Sequence, residues 1–207
     1  MPGNVDNIRP YGPSAGREHP EHFKRPDTLT LDIHGHIMTE GIDEEVRKHV
    51  PAMSLDAVKY ASPLTRELNK KQNEERHEEL VGVTKRLEDM DKMCVDVMAI
   101  SPQPPQMHYD APDALGQETA QKVNDNIARA VSEAPDRLLG LGTVPLQNTD
   151  MALKELDRLT NELGFKGIQI GAQIGNDELS AERLEPFWAK CSEMEIPILL
   201  HPTSFAS

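Results

Sequence analysis

The sequence predicts an α/β fold built on a parallel sheet, and two observations carry that prediction. Five short runs, at residues 29–33, 95–100, 138–144, 165–170 and 196–200, are rich in Ile, Val and Leu and have the length of buried strands. Longer stretches at 115–133, 151–163 and 181–194 carry apolar residues at helical spacing and separate the later runs. Strands that alternate with amphipathic helices return in parallel through helical crossovers. An open doubly wound sheet and a (β/α)8 barrel both satisfy this alternation. No Gly-x-Gly-x-x-Gly motif or phosphate loop follows any run, which counts against nucleotide binding.

Taken in order, residues 1–27 contain Pro2, Pro10, Pro13, Pro20 and Pro26 without periodicity and read as an irregular N-terminal arm. In the first run, Leu29, Leu31 and Ile33 alternate with Thr30 and Asp32, as on a strand with one apolar face. Residues 38–83 form a long insertion before the next helix. Its charged part, from Thr65 to Leu80, reads either as a solvated helical face or as a cover over the mouth of the sheet. In the second case a basic side chain meets an anionic substrate. Arg76 is put forward for that contact, although spacing leaves the inward-facing residue open. Gly164 after Leu163 fits a helix C-terminal stop, and Ser180 before Ala181-Glu182-Arg183 fits an N-cap with an acidic first turn. Trp188 fits the apolar face of its helix.

The chemistry gathers at His34-Gly35-His36, at the end of the first strand. Period-two geometry puts both imidazoles on one face, two residues apart, where they can bind one divalent metal. His-x-His alone also describes surface or hydrogen-bonded histidines. His201, closing the fifth run, is a third histidine at a strand end, and α/β enzymes place their chemistry at the C-terminal ends of strands. Asp32 shares the His34 face by alternation and reads either as a carboxylate that orients the histidines or as a buried, hydrogen-bonded group. His108 lies in the loop after the second strand, at the same end, and reads as a packing residue or a substrate contact. His49 and His77 read as surface or packing residues.

Composition narrows the class. The 207 residues suffice for one domain, with 37% hydrophobic and 28% charged residues. A net charge of -13 argues against a nucleic-acid surface, since phosphate binding needs clustered Lys and Arg. No apolar stretch approaches the ~20 residues of a membrane span. The N-terminal residues lack the pattern of a secretory signal, so cytoplasm is the default compartment. Cys94 and Cys191 lack metal-type spacing and read as reduced thiols.

Several strings resemble the amidohydrolase superfamily, and within it the branch of aminocarboxymuconate-semialdehyde decarboxylase and related aromatic-acid decarboxylases. They are Asp32-Ile33-His34-Gly35-His36, Arg86-Leu87-Glu88-Asp89-Met90-Asp91 leading into Val95-Asp96-Val97, Pro135-Asp136-Arg137-Leu138, Val144-Pro145-Leu146-Gln147, Gly167-Ile168-Gln169-Ile170-Gly171, and Ile196-Pro197-Ile198-Leu199-Leu200-His201-Pro202. The similarity runs from about Thr28 to the last residue and is weakest over 38–83. It implies that residues 28–207 are the N-terminal part of a (β/α)8 barrel, with the insertion at about 38–83. It also implies one divalent metal, usually zinc, held at the C-terminal mouth by His34, His36 and His201. Family members with a bridging carboxylated lysine carry it at the end of strand four, where this chain has Gln169-Ile170-Gly171, so a mononuclear site is implied.

Barrels of this type run to ~250 residues or more, and the resemblance places the family's acid–base histidine and metal-binding aspartate beyond Ser207. The chain therefore reads as truncated after about five strands, and its catalytic residue is unassigned. The implied activity is decarboxylation of a muconate-like or aromatic carboxylic acid, with hydrolysis of an amide, ester or lactone as the alternative. A non-catalytic remnant or partner-binding fragment is the third reading. The expected partner is a small carboxylic acid, and a homo-oligomer is open.

Overall fold

The structure is a computed structural model that describes residues 27–50, 62–175 and 177–202, apart from the side chain of Asn69. Of the expected N-terminal arm, residues 1–26 lie outside the described residues. Five strands form one all-parallel sheet: β1 (Leu31–Ile37), β2 (Val97–Pro102), β3 (Leu138–Gly142), β4 (Gly167–Gly171) and β5 (Ile198–His201). They lie side by side in chain order, without the reversal that marks a doubly wound sheet. Laid flat, β1 and β5 would sit about 19 Å apart, four spacings of about 4.8 Å. Yet the ring centroids of His36 on β1 and His201 on β5 are 5.1 Å apart. The sheet must curl to bring its edges to face each other, and it forms a half-barrel.

The helices are α1 (Ile42–His49), α2 (Pro63–Glu75), α3 (His77–Val81), α4 (Thr84–Met93), α5 (Asp113–Glu133), α6 (Thr149–Asn161) and α7 (Glu185–Glu193). In α5 the buried residues Gly116, Ala120, Val123, Ile127 and Ala130 recur every three or four positions, so one stripe faces the sheet. Leu156 and Leu159 of α6 and Phe187 of α7 join Ile100, Leu138, Ile168 and Ile170 of the strands in one core. A polar clasp locks this layer. Asn124 of α5 exchanges hydrogen bonds with the backbone of Thr143 (2.8 and 2.9 Å) and donates to Glu155 of α6 (2.7 Å). Arg158 closes on the same carboxylate with two bonds, Nε to Oε2 at 3.0 Å and Nη2 to Oε1 at 2.8 Å. At the opposite end of the strands, Arg137 donates to the carbonyls of Asp96 (2.7 Å) and Val95 (3.1 Å), tying the entry of β3 to that of β2.

Several local expectations change. The strands begin about two residues later than the apolar runs at β1, β2, β4 and β5, so the His34-Gly35-His36 motif lies within β1. The alternating face of β1 is not buried: Leu29, Leu31 and Ile33 are 71%, 45% and 62% exposed. Among the described residues β1 is an edge strand, and burial begins only at Gly35 and Ile37. Ser180 does not cap a helix; a 3-10 turn at Glu182–Leu184 comes first and α7 starts at Glu185. Pro186 fixes that start, because proline is tolerated in the first turn of a helix and not within it. The stretch from Thr65 to Leu80 is two helices broken at Arg76, and Lys70 and Lys71 pair with Glu74 and Glu75 on the exposed face of α2. Gly164 has φ 66°, the left-handed turn expected after α6. Cys94 and Cys191 are free thiols.

Candidate metal centre

His34 and His36 come from β1, His201 from the last residue of β5, and the half-barrel brings all three to its C-terminal mouth. One nitrogen from each lies within 4.8 Å of the other two. The ring centroids are 4.7 Å apart for His34–His36 and 5.3 Å for His34–His201. The β1–β2 pairing shifts register between Asp32 and Gly35, just where the first of these histidines sits. Such a bulge adds a residue to one strand and re-aims the side chains beyond it. Gly35 allows the strand to pack there: a Cβ would sit 2.6 Å from Met98 Sδ and 3.2 Å from the Ala99 carbonyl oxygen.

Hydrogen bonds orient two of the rings. His36 Nδ1 lies 3.0 Å from the Pro102 carbonyl, which can only accept, so Nδ1 carries the proton and Nε2 keeps its lone pair. His201 Nδ1 makes the same contact to the Pro202 carbonyl at 2.9 Å. Burial pushes the His36 pKa down from 6.5 to about 4, assisted by repulsion from His34 and His201. Burial also lowers that of His201, with His34 adding to the effect. Near neutral pH His36 is a neutral donor, the form that binds metal.

The same shift makes stability depend on pH. Between pH 6.5 and 4 the unfolded chain protonates this histidine while the folded chain does not, so stability falls as pH falls through that window. Chemical denaturation is expected to show a loss of about 2 kcal/mol from His36 between pH 7 and pH 5. A His36→Gln variant should lose that much less over the same interval.

The other candidates lie as follows. Asp32 lines the mouth, and its Oδ1 accepts from the backbone N–H of His34 at 3.0 Å, so it braces the strand at the bulge. His108 is buried and does not line the cavity. Its Nε2 lies 3.2 Å from Asp43 Oδ1 of α1, without forming a hydrogen bond. Arg76, half-buried at the α2–α3 break, does not line the cavity either. The insertion instead contributes Glu79 and Leu80 to a cavity of about 510 Å3 beside the histidines. His77 pairs with Glu40 at the surface (3.1 Å).

Sequence reasoning overlooked Arg86 of α4. Its buried guanidinium lines the cavity, and Nη2 donates to the carbonyls of His36 (2.7 Å) and Glu79 (3.2 Å). Burial lowers its pKa, and Asp32 and Asp89 oppose the shift. The signal was present: Val83, Arg86, Leu87 and Met90 fall on one helical face, and the other three are apolar.

An incomplete ring of parallel strands with three histidines at its C-terminal mouth defines a metal-competent α/β-barrel protein. Residues 31–207 match the amidohydrolase family, and the chain belongs to that family. It is 35% identical over 117 residues to a 2-amino-3-carboxymuconate-6-semialdehyde decarboxylase of Dictyostelium discoideum, a match covering 56% of this chain and 33% of that protein. It is 31% identical over 125 residues to a gamma-resorcylate decarboxylase of Polaromonas sp., covering 57% and 38%. Among solved structures it resembles a 5-carboxyvanillate decarboxylase of Novosphingobium aromaticivorans, complexed with manganese and 4-hydroxy-3-methoxy-5-nitrobenzoic acid. That likeness has a TM-score of 0.73 at 26% identity and covers 91% of this chain and 53% of that one. The matches thus span about a third of the curated relatives and about half of the solved one.

Proposed function

We propose that this chain supplies the three-histidine metal site of a carboxy-lyase that acts on a muconate-like or aromatic carboxylic acid. The observation that carries the reading is the convergence of His34, His36 and His201 at the mouth of a half-barrel whose relatives include several decarboxylases. The donor set suits a divalent transition metal: three imidazoles, two of which have Nδ1 held by a carbonyl and are pushed toward the neutral form by burial. Bound there, such an ion would act as a Lewis acid that polarises substrate oxygens and orients the carboxylate. The cavity beside it falls in the size range of small-ligand sites. Arg86 and Asp32 hold the β1 backbone on which two of the histidines sit. Imidazole nitrogen favours zinc over manganese on intrinsic affinity, and zinc is the ion assigned; manganese, present in the carboxyvanillate decarboxylase relative, is the competing outcome of metal analysis.

The deciding experiment assays the protein carrying this chain against a panel of aromatic and muconate-like acids, and against lactones and amides. Carbon dioxide release from an acid of the first group is expected. Turnover of lactones or amides alone would move the assignment to hydrolase, and no turnover of either would favour a non-catalytic role.

The sheet edges bear on the oligomeric state. Among the described residues β1 and β5 are each paired on one side only, and the exposed Leu31, Ile33 and Leu200 lie on them. Open strand edges with aliphatic side chains promote association. Sedimentation of residues 1–207 is expected to show concentration-dependent association that the pair Leu31→Lys and Ile33→Lys reduces. A monodisperse monomer at high concentration would contradict this.

A further inference from the structure

Ser101 of β2 and Gln169 of β4 are fully buried, and neither belongs to the histidine cluster. Their side chains meet across the intervening β3, with Ser101 Oγ 2.8 Å from Gln169 Oε1. Gln169 Nε2 donates to the Pro102 carbonyl at 2.9 Å, the oxygen that also accepts from His36 Nδ1. Ser101 Oγ lies 3.1 Å from His36 Nδ1 and 3.1 Å from the Gly35 carbonyl.

Counting protons fixes the direction of each bond. The Pro102 carbonyl only accepts, so the Gln169 amide must turn its NH2 toward it and its oxygen toward Ser101. Ser101 has one proton, and its acceptors are Gln169 Oε1 and the Gly35 carbonyl. Toward His36 it therefore offers only a lone pair. Both neighbours of His36 Nδ1, the Pro102 carbonyl and Ser101 Oγ, thus demand a proton on that nitrogen. An apolar pair at 101 and 169 would fill the space without imposing this order.

We infer that Ser101 and Gln169 are positioning residues for His36, holding its ring as the Nδ1–H tautomer with Nε2 directed at His34 and His201. The inference deepens the proposed metal site and rests on that reading. Neither residue touches the metal; both act through the Pro102 carbonyl and the imidazole. Partners of this kind, set one bond behind a ligand, typically change metal affinity ~10–100-fold when removed.

The test uses the 207-residue chain and three variants, Ser101→Ala, Ser101→Thr and Gln169→Glu. Nitrogen-15 NMR of the metal-free protein reads the tautomer of His36, and zinc titration reads affinity. Circular dichroism and denaturant midpoints check that each variant is folded. The expected wild-type spectrum shows Nδ1 protonated and Nε2 bare. Ser101→Thr, which keeps the hydroxyl, should retain both that spectrum and the affinity. Gln169→Glu turns a carboxylate oxygen toward the Pro102 carbonyl, and Ser101→Ala removes the hydroxyl; each should weaken zinc binding by ~10-fold or more while the fold persists. Nε2 protonated in the wild type would overturn the inference, as would wild-type affinity in folded Ser101→Ala. Should Gln169→Glu fail to fold, Ser101→Ala against Ser101→Thr decides. A wild-type protein with the expected tautomer that binds no zinc would sink the metal reading instead, so the two failures are distinguishable.

Discussion

Replacing His36 with alanine is expected to weaken metal binding at least 100-fold. Structural zinc sites bind with apparent free energies of about 10–16 kcal/mol, so one of about four ligands carries about 3 kcal/mol, or at least 100-fold in affinity. His36 is the most constrained of the three histidines: burial holds it neutral, and the Pro102 carbonyl holds its Nδ1 proton. His34 is the exposed member of the three, so His34→Ala should cost less. Calorimetric titration of the metal-stripped chain checks the order. Equal affinity in wild type and His36→Ala would remove this residue from the site.

The second large effect is on stability and lies away from the metal. Glu155 is 1% exposed, and Arg158 grips it through both carboxylate oxygens. The neighbouring carboxylates of Glu155 and Asp125 raise the Arg158 pKa despite its partial burial, so the guanidinium is charged at any working pH. Arg158→Leu leaves a buried carboxylate with Asn124 as its remaining donor. Breaking a buried pair from one side typically costs about 3–5 kcal/mol, and about 3 kcal/mol is expected here because Arg158 is partly exposed. Adding Glu155→Gln removes the charge but keeps an acceptor for Asn124, and should recover most of that loss. Denaturant midpoints of the single and double variants measure both. A loss below about 0.5 kcal/mol for Arg158→Leu would mean that the clasp relaxes into water.

What the sequence revealed and what it hid follow from the range of each interaction. Strand–helix alternation and the positions of His34, His36 and His201 were legible because each depends on a short local pattern. The choice between open sheet and barrel was not, since it depends on whether β1 comes to face β5; only the resemblance favoured the barrel. The bulge before Gly35 was hidden because strict alternation places Asp32, His34 and His36 on one face without it. The exposed Leu31 and Ile33 show the same limit: an apolar strand face is read as buried unless the strand is known to be an edge. The charged run points to Arg76, but Arg86 reaches the cavity because it sits on the apolar face of α4. Ser101 and Gln169 carried no signal of their own, since their pairing spans two strands and exists only once the sheet has curled.

In the proposed site three particular histidines hold one metal ion. The most direct measurement follows the side-chain nitrogen signals of all eight histidines while zinc is added to the metal-free chain. The resonances of His34, His36 and His201 should shift together and saturate at one equivalent, while those of His49, His77 and His108 stay in place. Zinc that moves His108 or the surface histidines and leaves His36 and His201 unchanged would contradict it.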